Sequence, residues 1–240
     1  MRVTNKKKLA KNVEGFLTDR EGQLLYHLAN HCTGKGIVVE IGSWKGKSTV
    51  WIAQGLTDAG LKGPLVAIDP HIGSEEHQQP GKKIWTFEAF ENNIEKAGFT
   101  SIVKPIIRTS AEARQEVNSP IEFLFIDGAH DYDNVKQDFD LYFPLVIEGG
   151  FIAFHDSQWD GVDQFIQEAL KRNILCKPYF TDSLFVVQKT SKSTVFDQMK
   201  NQWMIRLNQR FHACCAAKGS KFIRSTTKGL VKFARDIVAV

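Results

Sequence analysis

Val39-Glu40-Ile41-Gly42-Ser43-Trp44-Lys45-Gly46-Lys47-Ser48-Thr49 reads as an apolar strand that runs into a glycine-bearing turn and then into a helix. In α/β sheets ligands bind beyond the carboxyl ends of the strands, at this kind of turn. Two nucleotide fingerprints are near misses. A phosphate-binding P-loop needs one more residue between its glycines than Gly42 and Gly46 enclose, and a dinucleotide fingerprint needs a glycine where Trp44 stands. Glu40 at the strand end would repel a pyrophosphate. It suits a ligand that carries cations and no phosphate, and S-adenosylmethionine carries an ammonium and a sulfonium. Gly42 and Gly46 would let the backbone approach that ligand closely.

Outward from this turn, apolar runs alternate with helical patterns. Strands are expected at 37–39, 65–68, 102–107, 123–126 and 151–154, and helices at 47–56, 87–97, 132–146 and 162–172. All the strands but the third are continuous rather than alternating, as for strands covered on both faces. Lys104-Pro105 breaks the third. Runs at 174–176 and 184–187 suggest an antiparallel edge. Before the first strand, Thr18-Asp19-Arg20-Glu21 is a capping box that opens a helix to about His31. The expected fold is α/β: a Rossmann-like, doubly wound, mostly parallel sheet with an antiparallel C-terminal edge and helical additions at both ends. The divisions are a helical segment at 1–34, the Rossmann-like domain at 35–189 and a basic amphipathic helical tail at 190–240.

Charge separates that tail from the rest. From Thr190 onward there are ten Lys/Arg against two Asp, or +8, which leaves −4 for the rest of a chain of net charge +4. The mildly acidic body argues against a nucleic-acid partner. Leu230, Phe233 and Ile237 share a helix face among Lys228, Lys232 and Arg235. Such a helix packs on its own domain, on a second copy in a homo-oligomer, or peripherally on an anionic membrane. No run of roughly 18 apolar residues occurs, so no transmembrane helix is expected. The basic N-terminus lacks the apolar stretch of a secretory signal. The four cysteines, Cys32, Cys176, Cys214 and Cys215, form no CxxC pair. A cytoplasmic, reducing location is expected.

The second strand end, Ile68-Asp69-Pro70, offers a carboxylate that can accept both hydroxyls of a ribose. The ordered set VVEIGSWKGKST, AIDPH, FLFIDGAHDYDNVKQDF and GGFIAFHDS resembles the class I S-adenosylmethionine-dependent methyltransferases. More narrowly, it resembles bacterial metal-dependent O-methyltransferases of the macrocin and cephamycin-pathway type, with catechol O-methyltransferase more distant. The resemblance runs from about Thr18 to Lys189. It implies that Glu40, Gly42, Ser43, Gly46 and Ser48 line the methionine end of the cofactor. By the same resemblance Asp69 holds the ribose, and Ser110, Ala111 and Glu112 lie near the adenine.

The fourth and fifth strand ends supply Asp127 and Asp156. Two carboxylates in one cleft repel each other, and a divalent cation would relieve this; an all-oxygen site suits magnesium. The resemblance implies Mg2+ at these aspartates, with Ser157 where relatives often carry a stronger third ligand. The alternative for Asp127 is a contact to cofactor or a loop cap. His130 falls at the spacing of the catechol-type catalytic lysine and is the candidate base, with Asp127 beside it. The macrocin-type base position is Ala129, so the assignment stays open. His155 would share the role or pair with a carboxylate. The polar stretch 71–86 is a candidate substrate lid, with His71, His77 and Trp85 as contacts and Lys82 and Lys83 as contacts or solvated charges; Trp159 is a platform or a packed aromatic. The resulting expectation is metal-assisted methyl transfer to a sugar or polyhydroxylated small molecule, free or on a glycan. The rivals are a non-catalytic scaffold of the same fold and another nucleotide-cofactor Rossmann enzyme.

Overall fold

The computed structural model describes residues 10, 12–74 and 83–216. Helix α1 (Asp19–Asn30) precedes β1 (Ile37–Ile41), α2 (Lys47–Asp58), β2 (Leu65–Ile68), α3 (Phe87–Ala97) and β3 (Val103–Ile106). A single turn, α4 (Ser110–Ala113), leads to β4 (Ile121–Ile126), α5 (Tyr132–Tyr142), β5 (Val146–Phe154) and α6 (Asp160–Lys171). The chain then forms β6 (Leu175–Thr181), β7 (Leu184–Lys189) and α7 (Val195–Ala216).

The strands form one seven-stranded sheet in the order β3-β2-β1-β4-β5-β7-β6. Strands β1 to β5 are parallel, and β7 pairs antiparallel with both β5 and β6. This is the expected doubly wound sheet with its antiparallel edge. The apolar runs predict it because a strand buried on both faces has no polar side to alternate. Val38, Leu65, Ala67, Phe123 and Phe125 pack with α1, α2 and α3 on one face. Val39, Ile41, Val66, Leu124 and Ile126 pack with α5, α6 and α7 on the other. Glu40 has the parity of Val38, so its side chain enters the α2 side of the sheet.

Three local differences have physical reasons. The helix expected to reach Val146 ends at Tyr142, because Pro144 lacks the N–H that would continue it; Phe143–Leu145 close as a tighter turn and Val146 opens β5. Pro105 is accommodated in β3 because that strand is the sheet edge, where a missing N–H breaks no ladder. The described part of the expected tail, residues 195–216, packs on the sheet domain. Helix α7 sends Met204, Leu207 and Phe211 into the main core, and Asn201 Nδ2 donates to the carbonyl of Leu175 at 2.9 Å. Leu230, Phe233 and Ile237 lie outside the described residues. Among the described residues no helix is long and apolar enough to cross a membrane.

Candidate functional site

A cleft of about 290 Å³ opens beyond the carboxyl ends of β1, β2 and β4, where the strand order reverses direction. Gly42 turns the chain at φ 86°; a Cβ there would stand 2.0 Å from the Asp127 carbonyl oxygen, so only glycine lets the ends of β1 and β4 approach this closely. The backbone N–H of Trp44 donates to Asp69 Oδ2 at 2.7 Å, and that of His71 donates to Oδ1 at 2.6 Å. Asp69 thus ties the β1 turn to the β2 turn, and each oxygen keeps a lone pair for a further donor. Ser43 lines the cleft, yet its hydroxyl is buried without a hydrogen-bond partner. A buried orphan of this kind calls for a ligand or water.

Glu40 does not reach the cleft. It is fully buried behind Ser48, and the hydroxyls of Ser48 and Thr49 bond its oxygens at 2.5 and 2.6 Å. Burial pushes its carboxyl up to about 8, against those hydrogen bonds and aided by the charges of Asp127 and Asp69. The expectation that Glu40 touches the cofactor is corrected accordingly: strand parity points it under α2. Ser48 lines the cleft with its hydroxyl engaged by Glu40. Gly46, at φ 87°, is the left-handed residue before α2 and lies against Phe90 and Ile94.

At the end of β3, Thr109 and Ser110 line the cleft. Ala111 and Glu112 are exposed outside it, because Glu112 is spent capping its own turn on the N–H and hydroxyl of Thr109. Ser110 Oγ donates to Asp138, a buried carboxyl on the cleft wall that burial raises to about 7.

Asp127, His130, His155 and Asp156 converge at the ends of β4 and β5. His130 Nε2 lies 3.1 Å from Asp156 Oδ2, and its ring stacks on Trp159 with centroids 4.7 Å apart. His155 Nδ1 sits 2.9 Å from Asp127 Oδ1 and 3.3 Å from Asp156 Oδ2, while its Nε2 is 3.4 Å from Glu21 Oε2. Burial alone would strip the His155 proton, but these carboxylates outweigh it and hold its pKa well above the ordinary value. Burial raises Asp127, partly offset by His155. Asp156 is held well below the carboxylate range: burial opposes this, but the hydrogen bonds from His130, His155 and Gln158 prevail.

Residues 39–157 match a sequence profile described as a methyltransferase domain. In fold, the domain and its flanks resemble an O-methyltransferase from Bacillus cereus in complex with SAH, at TM-score 0.57 and 19% identity, covering 80% of this chain and 92% of that one. They also resemble the O-methyltransferase TomG from Streptomyces achromogenes in complex with SAM, at TM-score 0.57 and 17% identity, covering 78% and 89%. Uncharacterized protein R132 of Acanthamoeba polyphaga mimivirus is 29% identical over 156 residues, which are 63% of this chain and 66% of that protein. The chain spans less than two thirds of the curated relatives it matches, 66% of this one and 13% of a Sinorhizobium fredii protein.

The cleft fits S-adenosylmethionine at three points: the orphaned Ser43 hydroxyl, the glycine turn at Gly42 and the doubly held Asp69 carboxylate. It fits magnesium poorly. Donor atoms of Asp127, His130 and Asp156 lie within 4.8 Å of one another, but one of them is an imidazole nitrogen, and magnesium takes oxygen. The positive charge between the two aspartates is already present as His155. Ser157, the expected third ligand, is buried and turns to Asn208 and His212 of α7 at 3.4 Å.

Among the lid residues, His71 is wholly buried against Phe87 and Phe90, its Nδ1 2.9 Å from Thr86 Oγ1, so it cannot meet a substrate. Burial lowers its pKa. Trp85 is half exposed at the rim of that aromatic group, outside the cleft lining. His77 and Lys82 lie outside the described residues. Sequence reading missed Asp138, Glu21 and the approach of the N-terminal stretch, where Lys47 Nζ donates to the Gly15 carbonyl at 3.0 Å and Glu14 to Leu17 line the cleft. An acid among Val135, Phe139 and Tyr142 on the buried face of α5 was the available signal for Asp138.

Proposed function

We propose that the chain is an S-adenosylmethionine-dependent methyltransferase acting on a hydroxyl oxygen of a small polyhydroxylated or glycosidic acceptor. The observation that carries this reading is one cleft holding both a glycine-cut, Asp69-tied turn with the orphaned Ser43 hydroxyl and the His130–Asp156 pair. When bound, S-adenosylmethionine supplies an electrophilic methyl on a sulfonium sulfur. Gly42 and Ser43 would border its amino-acid end, Asp69 would accept from its ribose hydroxyls, and Ser110 with Asp138 would border its base. His130 takes the proton of the acceptor hydroxyl, and Asp156 at its Nε2 stabilises the imidazolium that results. Trp159, stacked on His130 and half exposed, offers a flat apolar face of the kind sugar rings lie on.

The fold neighbours from Streptomyces and Bacillus are O-methyltransferases in complex with SAM or SAH, which supports the cofactor and the oxygen acceptor. Magnesium assistance has weaker support than proton transfer through His130, because His155 already offsets part of the charge of the aspartates. The test is calorimetric titration of the chain with S-adenosylhomocysteine, with and without magnesium. Micromolar binding indifferent to magnesium is expected. No binding by a folded sample would overturn the methyltransferase activity and leave a scaffold of the same fold.

A further inference from the structure

Helix α7 buries one face in the core and leaves a second apolar stripe outside. Val195, Met199 and Trp203 recur every four residues, so they stack on one side of the helix, and Phe196 lies beside them. They are 74%, 60%, 55% and 64% exposed respectively. Met204, Leu207 and Phe211 already fill the opposite face, so the stripe cannot turn inward. Arg206 and Arg210 continue it, Lys200 Nζ sits 4.9 Å over the Phe196 ring, and no exposed position of α7 is acidic. Asp197, less exposed, is occupied in capping Thr194. Beyond Ala216 the sequence adds six Lys/Arg and one Asp.

We infer that this face of α7 is a docking surface for an anionic lipid membrane, which the protein meets peripherally. Large apolar side chains beside arginine and lysine are what an interfacial helix needs: the former enter the acyl boundary and the latter meet the headgroups. Charge complementarity selects this occupant. A second copy would bring the same basic surface against itself, and a nucleic acid would leave four apolar side chains facing phosphates. The face lies on the edge-strand side of the sheet, on β6, rather than at the cleft, so the inference does not rest on the chemistry proposed above.

The experiment is flotation of the full chain with vesicles of phosphatidylcholine alone or mixed with phosphatidylglycerol. Two variants accompany it, Phe196→Glu with Trp203→Glu, and Arg206→Glu with Arg210→Glu. Thermal melting and gel filtration are run on all three proteins. The expected result is binding of the parent to the anionic vesicles only, loss of it in the first variant, and about tenfold or greater weakening in the second, with melting and elution unchanged. Failure of the parent to bind anionic vesicles would overturn the proposal, as would variants that bind as well as the parent. A dimer of the parent that the first variant dissolves would make a second copy the occupant. A lowered melting temperature of the first variant would show that the chain itself covers the stripe.

Discussion

His155 Nδ1 lies 2.9 Å from Asp127 Oδ1, and the same imidazole reaches Glu21 of α1 through its other nitrogen. The ring therefore sits between carboxylates on both sides. Glu21 in turn accepts from the N–H and hydroxyl of Ser183 at 2.7 and 2.6 Å while closing the Thr18 capping box at 2.8 Å. A helix start, the β6–β7 turn and the floor of the cleft are joined through one buried cation. That cation offsets part of the charge of Asp127 and Asp156.

The first expectation concerns metal. If His155 supplies the positive charge, methyl transfer by the parent protein should be unchanged in excess chelator. Once a screen has returned an acceptor, the initial rate with and without EDTA decides it. A rate lost in chelator and restored by magnesium would reinstate the metal.

Replacing Glu21 by Gln should destabilise the fold by about 3–5 kcal/mol, the usual cost of removing one partner from a buried charge pair. The pH dependence has two arms. Burial works against the Glu21 carboxylate, but His155, Ser183 and Thr18 outweigh it and hold it at about 2. Its folded value is depressed, so its contribution is present above the ordinary 4.5 and is lost as pH falls towards 2. His155 is raised, so its contribution is present below 6.5 and is lost as pH climbs through its folded value. The acid arm, the loss of melting temperature as pH falls below about 4.5, should be weaker in Glu21→Gln than in the parent. An equally stable Glu21→Gln protein would show that the pair contributes nothing.

His130→Gln should lower kcat by about 100- to 10,000-fold, the range of a lost general base, while S-adenosylhomocysteine affinity stays at the parental value. Trp159→Ala should raise KM for the acceptor more than it lowers kcat. Steady-state kinetics separates the two, and a His130 variant with parental kcat would remove it as the base.

The order of strands and helices was legible because continuous apolar runs admit few other architectures, and Thr18 before α1 and Gly98 after α3 mark helix ends by local chemistry, whereas the stop that Pro144 imposes on α5 was passed over. The ends of β1, β2, β4 and β5 were legible too, since the sheet brings Gly42, Asp69, Asp127 and Asp156 together by topology alone. What was not legible depends on side-chain direction or distant partners. Glu40 was assigned to the ligand although strand parity places it beneath α2. His71 was assigned to a lid although Phe87 and Phe90, packed from the next helix, enclose it. Glu21 meets His155 across 134 residues of sequence, which no local pattern encodes.

Asp69→Ala should weaken S-adenosylhomocysteine binding by about 10- to 100-fold, the effect of losing one to two hydrogen bonds to a charged acceptor. It would also release the Trp44 and His71 N–H groups that fix the two turns. Calorimetry measures this directly, and unchanged affinity would show that the carboxylate only shapes the loop.

Glu40 supplies the last expectation. A wholly buried carboxyl with two neutral hydroxyls for partners, and with Asp69 and Asp127 nearby, keeps its proton until about pH 8, whereas an unfolded glutamate loses it near 4.5. Between these values folding takes up a proton. This one group should therefore lower stability by about 1.4 kcal/mol for each unit that pH rises through that window. The amide introduced by Glu40→Gln would keep both hydroxyl contacts and has no proton to lose. Chemical denaturation at several pH values from 5 to 9 should thus give Glu40→Gln a shallower decline than the parent, with the two curves parted most above about pH 8. Parallel curves would mean that Glu40 is ionised in the fold and that its charge, one layer beneath Ser48, is felt in the cleft after all.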